Sequence, residues 1–119
     1  MRNCFECLGL LGADNVLFLE GRIQDTLSSW NVTDIVFLRI DVDIYSATYD
    51  ALNFLYPRLS RGGAVLFDDW KLPYSREAIE DHRRKHSIST AIMFLPGCVD
   101  PVAYWINRNG GISFLAGKK

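Results

Sequence analysis

Four carboxylates stand in two tight pairs, Asp41 and Asp43 around Val42, and Asp68 next to Asp69. Each pair closes a short apolar run, Phe37-Leu38-Arg39-Ile40 in the first case and Gly62-Gly63-Ala64-Val65-Leu66-Phe67 in the second. The runs are rich in β-branched and aromatic residues, which marks strands, and the segment between them has helical spacing. Strand, helix and strand in that order read as a parallel βαβ unit with acids at the carboxyl ends of both strands. Ligands of open α/β sheets bind outside those ends, so the four carboxylates would face one another across a small space. Such a cluster calls for a cation, and a hard dication suits oxygen donors. The simpler reading is that Asp41 and Asp43 cap the following helix and that Asp68 and Asp69 cap the next. Four acids exceed what two caps require.

The elements that must carry these acids can be read in turn. Residues 34–40 form the first strand, expected to be buried on both faces because its apolar run barely alternates. Residues 46–59 form the crossover helix, with Ala47, Ala51, Leu52, Leu55 and Leu59 on one stripe and Pro57 at its fraying end. Gly62-Gly63 turns the chain back into the sheet and residues 64–67 make the second strand. Ser75, just after Pro73, is placed to cap a helix running to about His86. Residues 91–95 and 102–106 are further strands around a Pro96-Gly97 turn. Upstream, residues 2–11 have helical spacing, residues 16–20 read as a short strand, and residues 21–29 as a loop or short helix carrying Gln24 and Asp25. Asn109-Gly110-Gly111 opens either a last hairpin or a tail. The chain therefore reads as one partial α/β domain: a helix-strand-loop over 1–33, a βαβαββ core over 34–108 and a tail over 109–119.

Composition narrows the function classes. With 119 residues, 49% hydrophobic content and a net charge of −1, the chain suits a single globular domain. General nucleic-acid binding needs clustered bases, and the one basic run, Arg83-Arg84-Lys85, follows Glu77, Glu80 and Asp81 in an order that complements a helix dipole. No apolar run approaches the ~20 residues of a membrane span and no signal-peptide pattern opens the chain, so a cytoplasmic location is expected. Cys4, Cys7 and Cys98 give an odd count. The C-x-x-C of Cys4 and Cys7 reads as a redox pair, half of a zinc site or, more simply, two packed thiols. His82 and His86 lie one helical turn apart without the glutamate of a zinc-peptidase motif, which favours solvated or helix-terminal roles. Tyr45, Trp70 and Tyr74 either line a pocket over the acids or pack in the core.

The motifs resemble those of a known family, the macrocin-type sugar O-methyltransferases, metal-dependent members of the class I S-adenosylmethionine methyltransferases. The resemblance is carried by Leu38-Arg39-Ile40-Asp41-Val42-Asp43-Ile44-Tyr45 with Thr48 and Ala51-Leu52, by Leu55-Tyr56-Pro57-Arg58-Leu59, and by Gly62-Gly63 before Asp68-Asp69-Trp70. Tyr104-Trp105 and, upstream, Phe18-Leu19-Glu20-Gly21 and Asp25-Thr26-Leu27 match as well. The resemblance implies a Rossmann-like fold, methyl transfer to a hydroxyl of a small molecule, and magnesium held by strand-end acids. By that match Asp41, Asp68 and Asp69 are the metal ligands, with Asp43 a further ligand or the general base, so that Asp41 and Asp43 are the catalytic candidates. The family usually has glycine where this chain has Val42 and a different aromatic where it has Trp70.

In such enzymes the strand order is three, two, one, four, five, seven, six. The resemblance aligns the present residues from the helix after strand two onward, so the first two strands and the glycine-rich loop that cradles S-adenosylmethionine have no counterpart here. Gly21, Gln24 and Asp25 correspond to the adenine end of that cofactor site. A single chain is then expected to bind S-adenosylmethionine poorly. Strand four would have an open edge, which residues 16–20 could fill by sliding over, or which could pair with a second copy. A homo-oligomer is expected. Two functions stay open at this stage: an O-methyltransferase whose cofactor half is rebuilt by a partner, and a non-catalytic oligomeric binding protein descended from one.

Overall fold

The computed structural model describes residues 14–109. A short helix, α1 (Ile23–Thr26), precedes strand β1 (Ile35–Ile40), helix α2 (Tyr45–Leu55), a 3-10 turn (Tyr56–Arg58) and strand β2 (Leu59–Phe67). Helix α3 (Pro73–Lys85) and strands β3 (Met93–Phe94) and β4 (Ala103–Ile106) complete the order. The four strands form one sheet in the order β1-β2-β4-β3, with β1 and β2 parallel and β4 antiparallel to both β2 and β3. That is the four, five, seven, six half of the order implied by the family resemblance.

One face of this sheet is covered. Leu38 and Ile40 of β1, Val65 and Phe67 of β2 and Trp105 of β4 are buried in one cluster with Ala51 and Leu52 of α2 and Ile79 of α3. Residues of the opposite parity are more open: Phe37 is 56% exposed, and Leu66, Tyr104 and Ile106 are only half-buried. The expectation that residues 34–40 are buried on both faces is therefore corrected, because α2 and α3 lie on one side only. Residues 16–20 are not a strand and do not pair with β1; they run as irregular chain outside the sheet. The expected helix at residues 2–11, with Cys4 and Cys7, and the segment after Asn109 lie outside the described residues.

The crossover helix ends earlier than its apolar stripe suggests. Pro57 has no N–H to give the carbonyl one α-turn back, so the chain tightens into the 3-10 turn and Leu59 opens β2 instead of extending α2. Gly62 and Gly63 lie within β2, not ahead of it. Here the register slips, Ile35 pairing with Leu59 but Phe37 with Ala64. Gly62 has φ +85°, and a Cβ on Gly63 would lie 2.9 Å from the Ser60 carbonyl oxygen and 3.1 Å from that of Val36. The two glycines absorb a bulge where the strands come close.

A buried polar chain fixes the end of β4 against this region. Trp105 Nε1 donates to the Tyr56 hydroxyl at 3.0 Å, and Asn107 Nδ2 donates to the Leu59 carbonyl at 2.8 Å. The Arg83 guanidinium lies 4.5 Å from the Trp105 ring centroid, which ties α3 to the same place. Helix α3 starts at Pro73, so Leu72 is its N-cap and Ser75 sits buried inside the first turn without capping it. Its end is a Schellman motif. Ile88 N–H donates to the Arg83 carbonyl at 2.9 Å and Ser87 N–H to that of Arg84 at 3.4 Å, with Ser87 at φ +54°. His82, expected in a solvated or helix-terminal role, lies in the last turn of α3 but is buried against the rings of Tyr49, Tyr56 and His86.

Candidate metal and active site

The parallel pairing of β1 with β2 brings the acids together. Ile40 is in register with Phe67, and the ladder continues one step further as Asp68 N–H donates to the Ile40 carbonyl at 3.3 Å. Asp41 and Asp68 thus leave the two strands side by side. Beyond Asp41 the chain reverses sharply. Ile44 N–H donates to the Val42 carbonyl at 2.7 Å, and Asp43, at the centre of this three-residue turn, has φ +63°. A positive φ inside so tight a turn is strained for any residue with a Cβ. It presents the Asp43 N–H to Asp69 Oδ2 at 3.1 Å.

Oxygen atoms of Asp41, Asp43 and Asp69 lie within 4.8 Å of one another. The structure thus brings together three of the four sequence candidates and gives the fourth another partner: Asp68 forms an ion pair with Arg39, whose Nη2 also lies 3.2 Å from Asp41 Oδ2. Desolvation, then repulsion from Asp69 and a hydrogen bond with it, raise the Asp41 carboxyl above its usual 3.8, while Arg39 pulls the other way. Asp69 is also raised, by desolvation first, against the opposing hydrogen bond from the Asp43 backbone. Carboxylates gathered so closely have the hard-oxygen chemistry that suits magnesium, and the donor set fits such an ion.

The surrounding aromatics are anchored elsewhere. Tyr45 stacks on Tyr49 at 5.8 Å and donates its hydroxyl to Asp81 Oδ2 at 2.7 Å, which joins the start of α2 to α3 just behind the acids. This hydrogen bond, with desolvation, pushes the Tyr45 phenol up to about 12, and the same bond leads the lowering of Asp81. Trp70 packs partly against the core and meets Phe94 edge-on at 5.8 Å, while Tyr74 is exposed. Gly21, Gln24 and Asp25 all lie exposed at the start of the described chain, the last two on α1 and Gly21 at φ +130°. Sequence reasoning missed the role of Arg39 and the turn at Asp43. An arginine two residues before the first acid, on the same strand face, was the available signal for the former.

Sheet order, crossover and strand-end acids are those of an α/β methyltransferase. The family model described as Macrocin-O-methyltransferase (TylF) matches residues 1–106, and the chain belongs to that family. It is 43% identical over 89 residues to the mycinamicin III 3''-O-methyltransferase of Micromonospora griseorubida, covering 75% of this chain and 35% of that enzyme. It is 41% identical over 97 residues to the 8-demethyl-8-(2,3-dimethoxy-alpha-L-rhamnosyl)-tetracenomycin-C 4'-O-methyltransferase of Streptomyces olivaceus, covering 82% of this chain and 37% of that enzyme. Among solved structures, the O-methyltransferase NovP superposes with a TM-score of 0.81 at 33% identity, over 90% of this chain and 43% of that one. The chain thus spans about a third of the length of the curated relatives it matches.

Proposed function

We propose that this chain supplies the acid half of an S-adenosylmethionine-dependent O-methyltransferase acting on a hydroxyl of a small, sugar-bearing molecule. The observation that carries this reading is the meeting of Asp41, Asp43 and Asp69 within 4.8 Å at the ends of adjacent parallel strands. The family membership and the acceptors named for two relatives support the reaction class and the kind of substrate.

Asp41, Asp43 and Asp69 would hold magnesium, with Asp68 adjacent and able to join them if Arg39 releases it. A dication there supplies Lewis acidity to an acceptor hydroxyl, which makes its proton easier to remove. The carboxylate of Asp41 or Asp43 would take that proton, and S-adenosylmethionine would supply an electrophilic methyl group whose bond to sulfur breaks as the acceptor oxygen takes it, S-adenosylhomocysteine leaving. Gly21, Gln24 and Asp25 would face the adenine end of the methyl donor.

Calorimetric titration with S-adenosylmethionine, with and without magnesium, tests the reading. Micromolar binding that strengthens with magnesium supports a methyltransferase site. Magnesium binding alone would leave the acid half without its methyl donor and favour a binding role. Neither ligand binding would overturn the proposal.

A further inference from the structure

Arg39 shares a strand face with Phe37 and Asp41, on the side of the sheet away from α2 and α3. Its side chain is 52% exposed, so core packing does not hold it in place. It is held instead by carboxylates, the ion pair with Asp68 and the 3.2 Å contact to Asp41 Oδ2. The other basic side chain next to the acids, Lys71, is paired with Asp100 at 2.7 Å. Among the described residues, Arg39 is therefore the cation of the acid cluster, and its ion pair is with Asp68, the acid outside the three that converge.

We propose that Arg39 is a built-in counter-cation whose guanidinium a divalent metal must displace. This rests on the metal reading of the site given above. In the metal-free protein one guanidinium nitrogen, Nη2, lies against both Asp68 Oδ2 and Asp41 Oδ2, and its charge offsets part of the repulsion among four acids. A dication entering among Asp41, Asp43 and Asp69 meets that positive charge and competes for the same Asp41 carboxylate. Metal binding is then an exchange of cations, in which the exposed arginine swings into solvent and Asp68 is released toward the metal. The device keeps the metal-free fold tolerable and lowers metal affinity below what four carboxylates would otherwise give.

The test is titration of the full chain with magnesium chloride alone, in wild type, Arg39→Gln and Arg39→Lys, with circular dichroism to establish folding. Arg39→Gln is expected to bind magnesium about tenfold more tightly, since a unit charge beside a dication is removed at a partly solvated site. It should also melt at a lower temperature without metal and show a larger upward shift with it. Arg39→Lys keeps the charge on a compact, more strongly hydrated head group that holds the two carboxylates less firmly, and is expected to tighten binding about threefold; it carries the test alone should the glutamine variant fail to fold. Wild type binding magnesium with the folded variants unchanged or weaker would overturn the counter-cation role and leave the metal site standing. No magnesium binding by any of the three would overturn both.

Discussion

Asp69→Asn is expected to stabilise the metal-free protein at neutral pH. Asp69 accepts a 3.1 Å hydrogen bond from the Asp43 amide, and an asparagine carbonyl oxygen can accept the same bond. The substitution therefore removes a charge and keeps the backbone contact. What disappears is repulsion with Asp41 and Asp43, whose oxygens share the 4.8 Å cluster. Solvent screens these carboxylates, so each like-charge pair is worth at most about 0.5 kcal/mol, and two pairs give about 1 kcal/mol. The sign with pH follows from the raised carboxyls of Asp41 and Asp69. Between the usual 3.8 and the raised folded values, the folded chain binds more protons than the unfolded one. The corresponding stability is fully present below the lower value and is lost as pH rises through the higher one. In Asp69→Asn that decline should flatten, because one titrating group and the leading charge acting on Asp41 are both gone. Urea unfolding in the presence of a chelator, from about pH 4 to about pH 8, reads both effects. A variant less stable than wild type at neutral pH, or one with an undiminished decline, would refute the repulsion argument. Added magnesium should then stabilise wild type by mass action and the variant less.

Other substitutions probe the frame that carries the acids. Gly63→Ala would place a methyl group against two backbone carbonyls, and is expected to cost about 1 to 3 kcal/mol in urea unfolding. Ser87→Gly relieves a left-handed residue at an exposed helix end, and should raise stability by about 0.5 to 1 kcal/mol in the same assay. Tyr56→Phe leaves the buried Trp105 N–H without its 3.0 Å acceptor, at a cost of about 1 to 3 kcal/mol and with a change in tryptophan fluorescence. Self-association through β1 stays a proposal: its outer strand carries Val36 at 72% exposure, and if the edge pairs with a second copy, Val36→Lys should shift the protein to a smaller species in light scattering.

Much of the fold was legible because the signals were local and redundant. The apolar runs before each acid pair, the helical stripe between them and the aromatic pair Tyr104-Trp105 placed β1, α2, β2 and β4 within a few residues. Misreadings came where a single residue type had two uses. Gly62-Gly63 reads equally as a turn or as a bulge inside a strand, and only pairing with Val36 and Phe37 decides for the bulge. Ser75 reads as a cap, but Pro73 already occupies the first helical position, so the serine falls third in the helix, inside its first turn. Residues 16–20 have a strand's composition, yet a strand exists only with a neighbour, and composition cannot supply one.

The site shows the same division. Four acids at two strand ends were plain in the sequence, but which of them face one another depends on one backbone dihedral and one arginine. Had Asp43 continued in extended conformation, its amide would not be turned onto Asp69 by the short reversal that φ +63° and the Val42 to Ile44 hydrogen bond create. Had position 39 been apolar like its neighbours, Asp68 would have no cation beside it and no reason to stand apart from the other three. Both features act through charge and backbone strain at the ends of rigid strands. The substitutions that separate them, Arg39→Gln for the charge and Asp43→Asn for a residue of the same shape in the strained turn, should therefore alter metal affinity while leaving the cluster's backbone in place.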